Sequence, residues 1–288
     1  MGVGLIGGSV GLALRARGLA DRVVGVGRDP ARLALAKKLG AIDDIAPDLV
    51  RGVVQADVAV VCTPVSQIAE ECLRIAAAGP EGLLITDAGS TKSAIVRAVE
   101  ADPRARSMFC AAHPIAGSER HGVASARADL FEGRAVVLTP TDRTPSDRLR
   151  RATAFWRALD AQVLTMRPDR HDAALALTSH LPHAVASALA GAIPVEMLPL
   201  AGGAYRDVTR VAASDPSLWT EIFLANRGSM VAALAAFRSR LEMFSRLLAE
   251  GDSAGLVAWW NEAKAIRDQF SFDPPGSDDP RQAPGPSR

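Results

Sequence analysis

The sequence predicts an α/β chain: a doubly wound, mostly parallel sheet followed by an all-helical domain. Three features carry this expectation. Residues 1–168 alternate short apolar runs with helical patterns of ten or more residues, which is the pattern of βαβ units. Residues 171–270 show helical periodicity and no convincing strand. Gly2-Val3-Gly4-Leu5-Ile6-Gly7 opens the chain as a GxGxxG turn that runs into an Ala-rich helix. The boundaries that follow are a first domain over 1–168, a helical domain over 169–270 and a tail over 271–288.

In order, the helix after the Gly turn ends at Gly18, residues 22–27 form a strand, and 30–39 form a helix closed by Gly40. Residues 57–62 read as a strand, 65–78 as a helix, 82–88 as a strand and 92–101 as a helix. Residues 109–112 and 134–138 are further strands. A helix over 146–159, capped by Ser146, leads to a last strand at 162–166. Only Met1 precedes the Gly turn, so the strand that normally enters such a turn is missing, and the expectation is a start upstream of Met1. In the second half, 172–192, 218–249 and 253–270 read as long helices. The middle one carries an apolar stripe from Ile222 to Leu248 that packs within its domain or across a two-fold axis. The tail is Pro, Gly, Ser and charge, and is expected to be disordered.

Composition narrows the function. Lys+Arg 33 against Asp+Glu 32 leaves a net charge of +1 without a basic run, so nucleic acid is not an expected partner and a small molecule is. Cys62, Cys72 and Cys110 form no CxxC pair and read as reduced core thiols of a cytoplasmic protein. The apolar run over 173–193 is interrupted by His180, Pro182 and His183, so no membrane span is expected.

The chemistry concentrates at strand ends, where ligands of doubly wound sheets bind. In the Gly turn, Gly2, Gly4, Leu5, Ile6 and Gly7 are placed to receive a dinucleotide pyrophosphate on the helix N-terminus, which makes the first domain Rossmann-type. Where a ribose-reading acid would stand, the chain has Gly27 followed by Arg28 and Asp29. This favours NADP over NAD, because Arg28 can pair with a 2′-phosphate, although Arg28 also reads as a plain turn residue and Asp29 as a helix cap. Thr63 and Pro64, just past the next strand, join the cofactor group. Ser90 follows one strand end and His113 another. Alone they are a helix cap and a polar residue before Pro114; together they read as a proton acceptor for an alcohol losing hydride, with a neighbouring hydroxyl. In the helical domain, His180 and His183 share a face beside Pro182, and Arg206 and Arg210 suit a carboxylate substrate. No spacing suggests a metal site.

Five motifs in order, GVGLIGGS, DAGSTK, HPIAGSE, SHLPH and YRDVTRVAASDPSLW, make the chain resemble the prephenate and arogenate dehydrogenases from Gly2 to about Phe270. The resemblance implies a Rossmann domain, a helical dimerisation domain and a homodimer. It also implies oxidative decarboxylation of prephenate or arogenate with hydride transfer to NAD(P). By the same resemblance, His113 takes the proton of the substrate 4-hydroxyl with Ser90 hydrogen-bonded beside it, and Arg210 holds a substrate carboxylate. His183, Glu119, Asp207 and Trp219 line or gate the pocket, and Tyr205, in an Ala-Tyr pair where Gly-Phe is expected, stands at the substrate side chain. The alternatives are another Rossmann-plus-helical NAD(P) dehydrogenase and a non-catalytic cofactor-binding dimer.

Overall fold

The computed structural model describes residues 1–117 and 122–270, so Glu119 and the tail over 271–288 lie outside the described residues. The first half runs α1 (Leu5–Ala16), β1 (Val24–Gly25), α2 (Pro30–Lys38), β2 (Asp44–Ile45), α3 (Leu49–Val53), β3 (Val58–Val61) and α4 (Val65–Ala78). It continues with β4 (Leu84–Asp87), α5 (Ser93–Ala101), α6 (Pro103–Met108), β5 (Ala112–Pro114), β6 (Ala135–Leu138), α7 (Ser146–Ala158) and β7 (Gln162–Thr165). The pairs β1–β2, β3–β4 and β6–β7 are parallel, and β5–β6 is antiparallel.

Alternation along the strands sends side chains to two helical layers. On β4, Ile85 packs with Ile68, Cys72 and Ile75 of α4 and with Ile95 and Val99 of α5. Its neighbour Leu84 packs with Val10 and Ala13 of α1 and with Trp156 of α7. The spacing of Val65, Ile68, Cys72, Ile75 and Ala76 makes one apolar stripe on α4, which is why that helix was legible residue for residue. Cys72 and Cys110 are buried free thiols, and burial pushes Cys110 up to about 12.

Met1 and Gly2 bond to the strands on either side of them. The Met1 amino group donates to Val60 O (2.9 Å), Cys62 N–H donates to Met1 O (2.8 Å), and Gly2 N–H donates to Val26 O (2.9 Å). Met1 and Gly2 therefore bridge β1 and β3, and a cavity of about 60 Å³ lined by Met1, Val24, Val58 and Val60 lies in the same gap. The strand expected over 22–27 is confined to Val24–Gly25, where it pairs with the two-residue β2.

Other expectations need correction. Residues 109–112 are not a strand: Phe109 makes a single bridge to Ile85, and β5 begins at Ala112. Ser146 is the first helical residue of α7 rather than its cap; Pro145 takes the cap position with no side-chain bond. The two short elements β2 and α3, and the one-turn helix α6, carry too little pattern to be read from sequence.

Beyond β7 the chain is helical: α8 (Pro168–Leu175), a π turn Ala176–His180, α9 (Leu181–Ala192), α10 (Gly203–Thr209), a 3₁₀ turn Arg210–Ala213, α11 (Pro216–Ala225), α12 (Arg227–Glu250) and α13 (Ser253–Asp268). The single helix expected over 218–249 is broken at Asn226, a buried residue whose side chain bonds Asp172 O and faces His180. By length and composition the helical run Pro168–Ala192 is apolar enough to cross a membrane. It also carries buried His171, Asp172 and His180, each with a polar partner in the fold.

The chain divides into two compact units, Met1–Ala233 and Leu234–Arg288, with the boundary inside α12. In the second unit Asp252 caps α13 by accepting from Gly255 N–H (2.9 Å), Phe244 meets Trp259 at 5.0 Å, and Arg240 pairs with Glu262 at 2.9 Å. None of that unit's described residues is buried, and Leu248, Val257, Trp260 and Ile266 are more than half exposed.

Candidate active site

The Gly turn supplies the first part of the site. Gly2 has φ +77°, and a Cβ there would stand 2.8 Å from the Cys62 carbonyl carbon and oxygen, so only glycine fits. A Cβ on Gly7 would collide with Gly2 O, whereas one on Gly4 would meet nothing within 4 Å. The open position is the one a pyrophosphate must approach. Gly4 is also the N-cap of α1, with no side-chain cap and no acid in the first turn, so the N–H groups near Leu5 and Ile6 face no competing protein anion. These residues fit a dinucleotide. Thr63 is drawn against the same turn, its hydroxyl donating to Glu71 (2.9 Å), and Pro64 is the N-cap of α4. Arg28 lies exposed past β1 with no ion pair among the described residues, while Asp29 caps α2 by accepting from Ala31 and Arg32 N–H.

The second part is built around a buried charge pair that sequence reading passed over. Asp87, at the end of β4, is bound by Lys92 Nζ, by Ala112 N–H (3.0 Å) and by Gly89 N–H (2.9 Å). Lys92 Nζ also donates to Ala112 O (2.9 Å). Both backbone groups of Ala112 are thus clamped to the end of β4, and the next residue is His113. In the sequence the pair shows only as an acid and a base flanking the Gly89-Ser90 turn.

His113 Nδ1 lies 2.9 Å from Nε2 of His171, and His171 Nδ1 lies 2.9 Å from Asp172 Oδ1. Burial first, then His171, Lys92 and His180, push His113 well below its ordinary value of 6.5, so it is a neutral base at neutral pH. Burial alone would raise the Asp172 carboxyl, but hydrogen bonds from His171, Ser93 and Lys92 outweigh it and hold the group low. The hydrogen bond expected between Ser90 and His113 is absent among the described residues. Ser90 is half-buried at the turn, and the imidazole is held by His171 instead.

In the helical part, the π turn Ala176–His180 precedes Pro182, which has no N–H for a regular helical bond. His180, the last residue of that turn, lies edge-on to Trp219 at 6.0 Å, and His183, on α9, stacks on the same ring at 3.5 Å. His180 is pushed down to about 4, chiefly by burial, against the opposing charge of Asp172. His183 donates from Nδ1 to Ser179 O (2.9 Å) and is lowered by burial, with the Arg210 charge adding to the effect. A cavity of about 200 Å³ is lined by His183, Val211, Ser214, Trp219, Thr220 and Phe223. Arg210 is exposed at the start of the 3₁₀ turn, and Tyr205 is half-buried on α10. Asp207 pairs with exposed Arg206 at 3.2 Å rather than with Arg210. Among the described residues no three His, Cys, Asp or Glu side chains converge to hold a metal ion.

Two groups of anticipated residues emerge: His113 within β5 with Ser90 past the end of β4, and His183, Trp219 and Arg210 among the helices. His171, Asp172, His180 and Asn226 connect them through the contacts given above; of these four, only His180 was singled out from sequence, for sharing a face with His183.

The family model of the prephenate dehydrogenase nucleotide-binding domain matches residues 10–165, and that of the prephenate dehydrogenase dimerization domain matches residues 167–262. The prephenate dehydrogenase of Bacillus subtilis is 33% identical over 93% of this chain and 74% of its own length. The cyclohexadienyl dehydrogenase of Zymomonas mobilis is 31% identical over 93% of both. A crystal structure of prephenate dehydrogenase from A. aeolicus, in complex with hydroxyphenyl propionate and NAD+, superposes with a TM-score of 0.87 at 32% identity, over 94% of this chain and 96% of that one.

Proposed function

The chain belongs to the prephenate dehydrogenase family, and from that premise we propose that His113 is the base of an oxidative decarboxylation. The reaction class is conversion of prephenate or arogenate with hydride transfer to a nicotinamide cofactor. Loss of hydride develops positive character at C4 and turns the alcohol into a ketone. A neutral imidazole that accepts the hydroxyl proton therefore helps the transition state more than the ground state. When bound, the nicotinamide supplies the hydride acceptor, and ring aromatisation makes loss of carbon dioxide downhill. The observation that carries this reading is the burial of His113 as a neutral base within β5, next to Ala112, whose backbone is clamped by Asp87 and Lys92.

Arg210 holds a substrate carboxylate, with His183, Trp219, Tyr205, Asp207 and Glu119 around the same substrate, and Ser90 lies beside the reacting hydroxyl. Arg210→Ala should raise the apparent prephenate constant about tenfold to a hundredfold, with a smaller effect on kcat, as expected for loss of a charged hydrogen bond. Unchanged saturation would transfer the role to Arg206.

Gly2, Gly4, Leu5, Ile6, Gly7, Thr63, Pro64 and Arg28 form the cofactor side, and we assign the preference to NADP. Gly27 brings no negative charge to the ribose, and Arg28 is free to pair with a 2′-phosphate. Arg28→Asp should lower kcat/KM for NADP by about tenfold or more while that for NAD stays within about threefold. Equal losses with both cofactors would remove Arg28 from this role.

We take 1–168 as the cofactor domain and 169–270 as the substrate and dimerisation domain. The exposed apolar residues of α12 and α13 support a homodimer, because none of that unit's described residues is buried in the single chain. The test of the whole reading is kcat/KM for prephenate and for arogenate, each with NAD and with NADP. No turnover in all four combinations would overturn it.

A further inference from the structure

Asp172 uses both carboxylate oxygens. Oδ1 accepts from Lys92 N–H (2.8 Å) and lies 2.9 Å from His171 Nδ1, while Oδ2 accepts from Ser93 N–H (2.8 Å). Those N–H groups begin α5, where the helix dipole favours an anion. The Asp172 main chain is held as well, its carbonyl accepting from Asn226 Nδ2 at 2.7 Å.

An ionised carboxylate has no proton to give, so the hydrogen in the His171–Asp172 bond sits on His171 Nδ1. A neutral imidazole with its hydrogen on Nδ1 has only a lone pair at Nε2, and that atom is 2.9 Å from His113 Nδ1. His113 must then donate from Nδ1, which leaves the His113 lone pair at Nε2. We propose that His171 and Asp172 are positioning residues that fix His113 in its Nδ1–H tautomer, so that Nε2 is the atom presented to the substrate hydroxyl. The assignment rests on the reading of His113 as the base. Its direction comes from the carboxylate end of the chain: with Asp172 ionised and a single ring hydrogen on His171, the hydrogen bonds run from His113 to His171 to Asp172.

Reversal is what Asp172→Asn permits. The new amide can donate to His171 Nδ1, whereupon His171 donates from Nε2, His113 accepts at Nδ1, and the His113 hydrogen moves to Nε2. We expect kcat to fall by at least about tenfold with the prephenate KM within about threefold. His171→Leu, which removes the acceptor, should do the same. His171→Gln keeps an oxygen for His113 and an N–H for Asp172, and should restore most of the loss; a role confined to packing predicts no such difference between Leu and Gln. Long-range proton–nitrogen NMR of the unmodified enzyme should place the His113 hydrogen on Nδ1, and that of Asp172→Asn should place it on Nε2.

Outcomes separate the two levels. Near-normal turnover of His113→Asn overturns the base assignment itself. Slow His113→Asn combined with Asp172→Asn and His171→Leu within about threefold of the parent kcat overturns only the positioning role. A hydrogen on Nε2 of His113 in the unmodified enzyme also overturns it, and that measurement stands whether or not any variant folds.

Discussion

His113→Asn lowers turnover with prephenate by about two to four decades, the span usual for loss of a general base, while substrate binding survives. The asymmetry follows from what Asn keeps. Its amide can still donate towards His171, as the ring does across 2.9 Å, and its size leaves the pocket open. What it lacks is a basic lone pair where Nε2 stood. Single-turnover rates with saturating prephenate and NADP measure the effect, and a rate near that of the parent would sink the assignment.

The same residue sets a pH dependence. Burial, His171, Lys92 and His180 all lower His113 from 6.5, so the acid limb of kcat/KM should lie below that value and the profile should be flat through neutral pH. Stability follows the same sign. His113 and His180 are neutral in the fold but take up a proton in the unfolded chain near 6.5, so acid makes the unfolded state bind more protons. Their contribution is complete above 6.5 and is lost as pH falls towards the folded values, about 4 for His180.

Lys92→Met should cost about 3–5 kcal/mol of stability, the penalty typical of leaving one partner of a buried ion pair uncompensated. Lys92 and Asp87 are both fully buried. Two N–H bonds, from Gly89 and Ala112, would remain on Asp87 but could not replace a cation. The midpoint of urea denaturation measures the loss. Because Lys92 also holds Ala112 O, turnover should fall as His113 loses its fixed backbone, even where the variant remains folded. Lys92→Met combined with Asp87→Asn should recover part of the stability, since no charge is then stranded. An unchanged midpoint in the single variant would show that the pair adds nothing to stability.

Much of the chain was legible because its information is local. The stripe on α4 and the Asp29 cap of α2 are read from residues within a few positions of each other. His113, Ser90, His183 and Arg210 were found because each lies in a short motif at a strand end or helix turn. Their connections were not legible. The break at Asn226 depends on bonds to Asp172 and His180, 54 and 46 residues away, and nothing in the local pattern of apolar residues announces it. The partner of His113 was misread as Ser90, which also lies at a strand end, when the contact comes from His171, 58 residues farther along.

The sequence by itself determined the alternation of strands and helices, the glycine turn and the residue types able to bind a dinucleotide, accept a proton and pair with a carboxylate. Periodicity and turn chemistry are properties of neighbouring residues, so they survive without the fold. Only the tertiary structure decided that Lys92 and Asp87 clamp the strand bearing His113, and that an aspartate on α8 directs a hydrogen-bond chain to it. Those are choices of partner among donors and acceptors far apart in the chain, and they are made when burial removes water as the alternative partner.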